Sequence, residues 1–340
     1  MDFTYLTYDA LPKTLYHYTS LEALVSIVET KRLRASNIRF LNDESESLRL
    51  KEDVVAILRR LATTTADKQL VANVLHSIEK TPRQSHFVAS LSERGDLLSQ
   101  WRAYCPPGLG VSIGFSSACL EQQWIADPRG EKPLFLSAPF QKVRYYETTH
   151  QSSLEKTVAN LLNLARKEDP TKPSSLGTGV LAYALAPIFE GKNIANDELF
   201  DVVQRAADAI SWAEGKSGQN LYLPGSEIAA WVTVLSPFIK HGAFSEECEW
   251  RKVVSKDSRL MPGQRFRSGK STLIPFVEIM LDVVREGSEA VPSKKYFIDE
   301  VVVGPTFKPE LTIEALRSLF ESESHPEVVV RSSSIPFRSW

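Results

Sequence analysis

The chain opens on a period-two pattern and turns at once into a helical one. Over residues 14–18, Leu15 and His17 share one face and Tyr16 and Tyr18 the other, as in a half-buried strand. Thr19 and Glu22 then have capping-box spacing, and Leu21, Leu24, Val25 and Val28 make an apolar helical face. His17 is therefore expected just ahead of a helix N-terminus and its partial positive charge. A second helix is expected to open at Asn42-Asp43-Glu44, with Asp43 and Glu46 at capping spacing. Leu50, Val54, Ile57, Leu58 and Leu61 form its buried stripe. Residues 66–80 predict a third helix.

Beyond it, Phe87–Glu93 reads as a strand and Asp96–Tyr104 as a short helix, ended by the breaker Pro106-Pro107-Gly108. Gly110–Phe115 resumes as a strand with Val111, Ile113 and Phe115 on one face, and Lys142–Tyr146 is a further strand candidate. From 152 to 238 helical periods take over, as in Val158, Leu161, Leu162 and Ala165, with a surface loop expected over Gly215–Gly225. Strand patterns return at Trp250–Val254, Thr272–Val284 and Tyr296–Val303, then a helix at Leu311–Phe320 and a last strand at Val328–Arg331. Strands early and late with helices between them predict an α+β fold with a mixed or antiparallel central sheet and a helical insertion. Residues 1–150 and 239–340 are expected to form one discontinuous α+β domain, and 151–238 a helical insertion or subdomain.

Composition narrows the functional classes only a little. With 340 residues, 43% hydrophobic and 24% charged, the chain has the makeup of a globular protein. A net charge of -2 argues against a globally basic nucleic-acid binder while leaving room for a local basic groove. No uncharged apolar run approaches the roughly 18 residues of a membrane span. No signal-peptide pattern opens the chain, so no membrane partner is expected and a cytoplasmic location is. Cys105, Cys119 and Cys248 are too widely spaced for a disulfide framework or a zinc pattern, and no metal ligands are assigned.

Several ordered phrases carry a resemblance. Tyr16-His17-Tyr18-Thr19-Ser20, Leu41-Asn42-Asp43-Glu44-Ser45-Glu46, Ser90-Leu91-Ser92-Glu93, Leu98–Tyr104, Gly110–Phe115, Phe244-Ser245-Glu246-Glu247 and Glu249-Trp250-Arg251 resemble an uncharacterised family of bacterial and phage proteins. That resemblance is expected over most of 14–115 and 238–305, with the helical insertion outside it. The family's distribution associates it with stress or phage conflict, where a toxin would fit. More distantly, an aromatic strand with a histidine, a helix, a serine-bearing strand and a late Glu-x-Glu resemble the ADP-ribosyltransferase superfamily. The resemblance implies a sheet of that type, NAD as substrate, and an acceptor that is a protein or a nucleic acid. Carried over, His17 would anchor the ribose, Tyr18 or Tyr104 would supply a ring to the nicotinamide pocket, and Ser90 and Ser92 would lie on the middle strand. Glu249 would be the catalytic carboxylate, with Glu247 orienting the acceptor. The chain departs from that superfamily in lacking a clear arginine anchor and a standard middle motif.

The chemistry gives these residue types a reason. Removing nicotinamide from NAD builds oxocarbenium-like charge on the ribose, as glycoside hydrolysis does. A preorganised carboxylate beside that charge is worth about 3 kcal/mol or more. If 247–251 were one strand, Glu247, Glu249 and Arg251 would share a face, and Arg251 would keep the carboxylates ionised.

Two other readings stay open. Asp43, Glu44, Glu93, Asp96, Glu247 and Glu249 could gather round a hard cation, as in a metal-dependent hydrolase or nuclease. The 152–238 helices could instead make the chain a non-catalytic interaction module. His17 is also compatible with a structural histidine, the two glutamates with solvated edge charges, and Arg265 and Arg267 with either phosphate contacts or a charged surface.

Overall fold

A computed structural model of the chain describes residues 10–41, 44–80, 86–106, 110–121, 123–126, 134–136, 140–146, 151–167, 228–229, 232, 236–255, 264–269, 271–287, 289–306 and 308–336. The chain divides into two compact units. The first takes residues 1–41, 84–143 and 245–340, and the second takes 42–83 and 144–244.

The first unit is α+β and, among the described residues, is built on a mixed, mostly antiparallel sheet of twelve strands. In chain order these are β1 (Thr14–Ser20), β2 (Arg32–Asn37), β3 (His86–Ser92), β4 (Gly110–Ser116), β5 (Gln123–Ile125), β6 (Leu134–Leu136) and β7 (Gln141–Lys142). After the second unit's strands β8 (Arg144–Tyr146) and β9 (Ile239–His241) come β10 (Glu249–Ser255), β11 (Arg265–Ser268) and β12 (Leu273–Met280). A separate hairpin of β13 (Val283–Glu286) and β14 (Glu289–Pro292) precedes β15 (Ile298–Val303) and β16 (Val329–Ser332). The main path through the sheet runs β16-β15-β4-β1-β3-β2-β12-β5-β6, with β10 and β7 branching from β3 and β11 from β12. Among the described residues its one parallel pair, β15 with β16, is joined through a helix over Pro309–Ser322, where Pro309 supplies the preset φ of a first helical turn.

Alternation along the strands sorts the sheet into two chemically different faces. Leu33, Ala35, Phe87, Ala89, Leu91, Trp250, Val254, Val277 and Ile279 belong to one continuous core cluster. The residues between them, by the period of two, face the other way. On that other face the registers Val88↔Val253, Ser36↔Val88 and Phe276↔Ser36 align β10, β3, β2 and β12 in one row. Glu249 and Arg251 on β10, Ser90 and Ser92 on β3, and Arg32, Arg34 and Ser36 on β2 therefore share it.

Helix α1 (Leu21–Thr30) joins β1 to β2 and buries Leu24, Ile27 and Val28. Its cap is Ser20, whose Oγ accepts the Ala23 N–H at 3.1 Å, one residue later than the Thr19/Glu22 spacing suggested. Strand pairing of β1 with β4 extends through Ser20, so Thr19 is still committed to the sheet. The expected Lys142–Tyr146 strand is two strands. Val143 leaves the ladder to donate its N–H to the Glu249 carbonyl at 2.8 Å. The expected Thr272–Val284 strand likewise breaks at Leu281-Asp282 into β12 and β13.

The second unit carries α2 (Glu44–Leu61), α3 (Thr65–Lys80) and α6 (Gln151–Lys167), with β8 and β9 paired in parallel; α4 (Leu98–Tyr104) and α5 (Ser117–Leu120) belong to the first. Leu50, Val54, Ile57 and Leu58 of α2 meet Val158, Leu161, Leu162 and Ala165 of α6 in one cluster. The Asp67 carboxylate takes both Nε and Nη2 of Arg166, at 2.7 and 2.9 Å, and this fork holds it well below the usual carboxylate range. Asn42, Asp43 and residues 168–227, with the expected 215–225 loop, lie outside the described residues. Among the described residues no helix is long and apolar enough to cross a membrane.

Candidate active site

Strand β3 has one fully paired edge and one forked edge. Along the first, Glu249–Ser255 of β10 pair with it in unbroken register. Along the second, β1 touches it at Tyr16↔Ser92 and β2 at Ser36↔Val88 and Asn37↔Phe87. Between those two pairings β1 and β2 splay apart, bridged by α1. A cavity of about 470 Å³ occupies this fork. His17, Tyr18, Ser90, Tyr104, Glu247 and Glu249 all line it. Residues more than two hundred positions apart are thus brought to one cavity because β10 and β1 are both neighbours of β3.

His17 lies in the fork itself. Its Nδ1 stands 3.2 Å from the Ser90 carbonyl oxygen. A carbonyl only accepts, so Nδ1 carries the proton and Nε2 is left with a lone pair. Burial holds the imidazole below its ordinary pKa, against the smaller opposing effect of the Ser90 bond. His17 is therefore a neutral group offering one acceptor. Ser90 contributes its carbonyl to fix that tautomer.

Glu247 and Glu249 do not belong to one strand, contrary to the period-two expectation. Glu247 ends a 3-10 turn over Gly242–Glu247, and Cys248 follows with φ +45° before β10 begins at Glu249. A left-handed cysteine costs of order 1 kcal/mol and is held here from both sides. The Ser92 Oγ donates to the Glu247 carbonyl at 2.7 Å, and the Glu93 N–H donates to the Cys248 carbonyl at 3.1 Å. The kink turns Glu247 toward the same cavity that Glu249 reaches from the strand. Both are buried, at 8% and 6% exposure.

Arg251 forks onto Glu249, Nε to Oε1 at 2.7 Å and Nη2 to Oε2 at 3.0 Å. The fork fixes the plane of the Glu249 carboxylate.

Tyr18 contributes wall rather than a free hydroxyl. Its OH donates to the Arg94 carbonyl at 2.7 Å and accepts the Leu97 N–H at 3.0 Å, and its ring meets Trp101 edge-on at 4.8 Å. Tyr104 is 40% exposed and supplies the more open ring. Of the remaining acids, Glu93 is bound by Lys142 and Trp250 Nε1, and Asp96 by Trp101 Nε1, Ser333 and Ser334. Burial would raise both carboxyls, but these bonds outweigh it and hold them low. Asp43 and the side chain of Glu44 lie outside the described residues. Among the described residues no three His, Cys, Asp or Glu groups stand together as metal ligands. The three cysteines are free, and burial pushes the Cys105 thiol up to about 12.

The sequence did not single out β2 as a strand, yet Arg32, Arg34 and Ser36 line the same cavity, as do Glu278 of β12 and Arg267 of β11. The signal was present as two Arg-x-Arg alternations, Arg32/Arg34 and Arg265/Arg267. The cavity consequently has glutamates toward β10 and arginines toward β11.

Comparison with known proteins places part of the chain in context. Residues 100–252 match a family described as a protein of unknown function, DUF2971. The match runs through the 151–238 segment, which the resemblance was expected to leave out. It includes Trp101–Tyr104, Gly110–Phe115 and Phe244–Arg251, while the phrases at 16–20, 41–46 and 90–93 fall before it. No curated protein and no solved structure matches the chain.

Proposed function

We propose that the protein is an NAD-cleaving enzyme of ADP-ribosyltransferase-like type, acting as a transferase or as a glycohydrolase. The observation that carries this reading is the shared cavity of His17, Glu247 and Glu249, acidic at one end and basic at the other. NAD has matching polarity, a cationic nicotinamide-ribose joined to an anionic pyrophosphate.

In this reading the Nε2 lone pair of His17 accepts a hydrogen bond from a ribose hydroxyl. Glu249, fixed by Arg251, accepts from another hydroxyl and stabilises the positive charge that builds as the glycosidic C–N bond breaks. The bonding pair leaves with the nicotinamide nitrogen, which becomes neutral. Water or an acceptor nucleophile then attacks the anomeric carbon, and Glu247 orients it and receives its proton. Tyr104 supplies a ring at the open side of the pocket. An ADP-ribosylating toxin active in bacterial stress or phage conflict would use this chemistry on a protein or a nucleic acid.

The test is incubation of the purified protein with NAD, following nicotinamide release for wild type and Glu249→Gln. Loss of one to three orders of magnitude in the variant, with NAD binding retained, is expected. A protein that neither binds NAD nor loses any turnover on this substitution would end the reading.

A further inference from the structure

The far end of the cavity carries more positive charge than the protein itself uses. Strands β2 and β11 flank β12, and the registers Glu278↔Arg34, Phe276↔Ser36 and Arg265↔Phe276 put Arg32, Arg34, Arg265 and Arg267 on one face with Glu278. Like charges gathered on one face repel, so whatever positive charge the sheet's own acids leave unanswered is a cost to it. Glu278 answers two of the four. It takes Arg32 Nη1 at 2.8 Å and Arg265 Nη1 at 3.3 Å. Arg34 lies over the Phe276 ring at 5.1 Å, and Arg267 reaches only the neutral Ser36 Oγ, at 3.4 Å. Neither meets a carboxylate among the described residues. Burial, and then the charge of Arg34, hold the Arg267 guanidinium below its ordinary range. Two guanidinium groups that face a cavity, repel each other and lack an acid are arranged for an anion brought in from outside.

We propose that Arg34 and Arg267, with the Ser36 hydroxyl, form a phosphate-binding subsite at the β2–β11 end of the cavity, and that the ligand is a phosphorylated small molecule. Phosphate fits better than a carboxylate because its tetrahedral oxygens can accept two planar forks and a hydroxyl at once. The subsite deepens the NAD-cleaving reading by naming the group held far from Glu249. It stands on the arginines alone and does not require that any bond be cleaved.

The test is calorimetric titration of pyrophosphate and of inorganic phosphate into wild type, Arg34→Gln, Arg267→Gln and Arg59→Gln, at two salt concentrations. Wild type is expected to bind pyrophosphate with an affinity that falls as salt rises. Each of Arg34→Gln and Arg267→Gln should weaken it by about 10- to 100-fold, the range for one charge-assisted contact, while Arg59→Gln, which removes an exposed arginine of α2 that does not line the cavity, should leave it unchanged. Thermal melts without ligand separate a ligand site from a structural one. Arg267→Gln should melt at or above the wild-type temperature, because it removes a partly buried charge and a repulsion. Pyrophosphate binding that is absent, or equally strong in both arginine variants, would overturn the subsite, as would a sharply lowered melt for Arg267→Gln. Pyrophosphate binding that needs both arginines in a protein that does not cleave NAD would uphold the subsite and remove the NAD reading instead. NAD cleavage with pyrophosphate binding indifferent to the arginines would do the reverse.

Discussion

Removing Arg251 should cost more stability than removing both members of its ion pair. The Glu249 and Arg251 side chains are 8% and 6% exposed, so solvent screens them little. Their two bonds, at 2.7 and 3.0 Å, are charge-assisted, each worth roughly 1.5–3 kcal/mol. In Arg251→Met the carboxylate remains buried beside an apolar chain, and breaking a buried pair from one side typically costs about 3–5 kcal/mol. In the double variant Glu249→Gln/Arg251→Met neither charge of this pair is left behind, and the loss should fall below that of the single variant. The coupling energy across the cycle should therefore be about 2 kcal/mol or more. Urea unfolding at pH 7, monitored by Trp250 and the other tryptophans, reads all four proteins, and Arg251→Lys adds a charge-keeping control without the planar fork. The reasoning is refuted if Arg251→Met lies within about 1 kcal/mol of wild type, or if the double variant is as unstable as the sum of the singles.

Three other outcomes follow from the geometry. Lys252 is 1% exposed and burial pushes its ammonium down to about 7, so between that value and the ordinary lysine pKa the unfolded chain binds more protons than the folded one. Its contribution to stability should then rise with pH by up to about 1.4 kcal/mol per unit; Lys252→Met should abolish that component and be the more stable protein at pH 6, as unfolding midpoints from pH 6 to 10 would show. Tyr18→Phe strands the Leu97 N–H and the Arg94 carbonyl, with an expected loss of about 1–3 kcal/mol and faster amide exchange at Leu97; an unchanged Leu97 exchange rate would contradict this. Because burial lowers the His17 pKa, its Nε2 acceptor should persist below the ordinary imidazole range, so NAD binding measured from pH 8 to 6 should be flat in wild type. A decline centred near pH 6.5 that disappears in His17→Gln would show that the imidazole titrates normally.

Elements whose apolar residues recur at the period of a strand or a helix could be read from the sequence. Leu15/His17 against Tyr16/Tyr18, Val111/Ile113/Phe115, and the stripe Leu50/Val54/Ile57/Leu58 each give the period of a strand or helix, and all became one. The candidate site was legible as far as residue type marks chemistry: His17, Tyr104 and the two glutamates are unusual company for their local patterns. Several things were decided only in three dimensions. Cys248 adopts φ +45°, so Glu247 and Glu249 reach one cavity from a turn and a strand rather than along a single strand face. No local pattern forecasts that kink, because contacts with Ser92 and Glu93 from 155 residues away hold it. Strands β2 and β11 escaped the sequence reading for a related reason. Each carries arginines where a strand usually carries apolar residues, and only pairing with β12 makes those arginines members of a sheet. Hydrophobic periodicity records which side chains leave water. Which polar side chains then meet depends on strand neighbours and register, and those are set by the packing of the whole sheet.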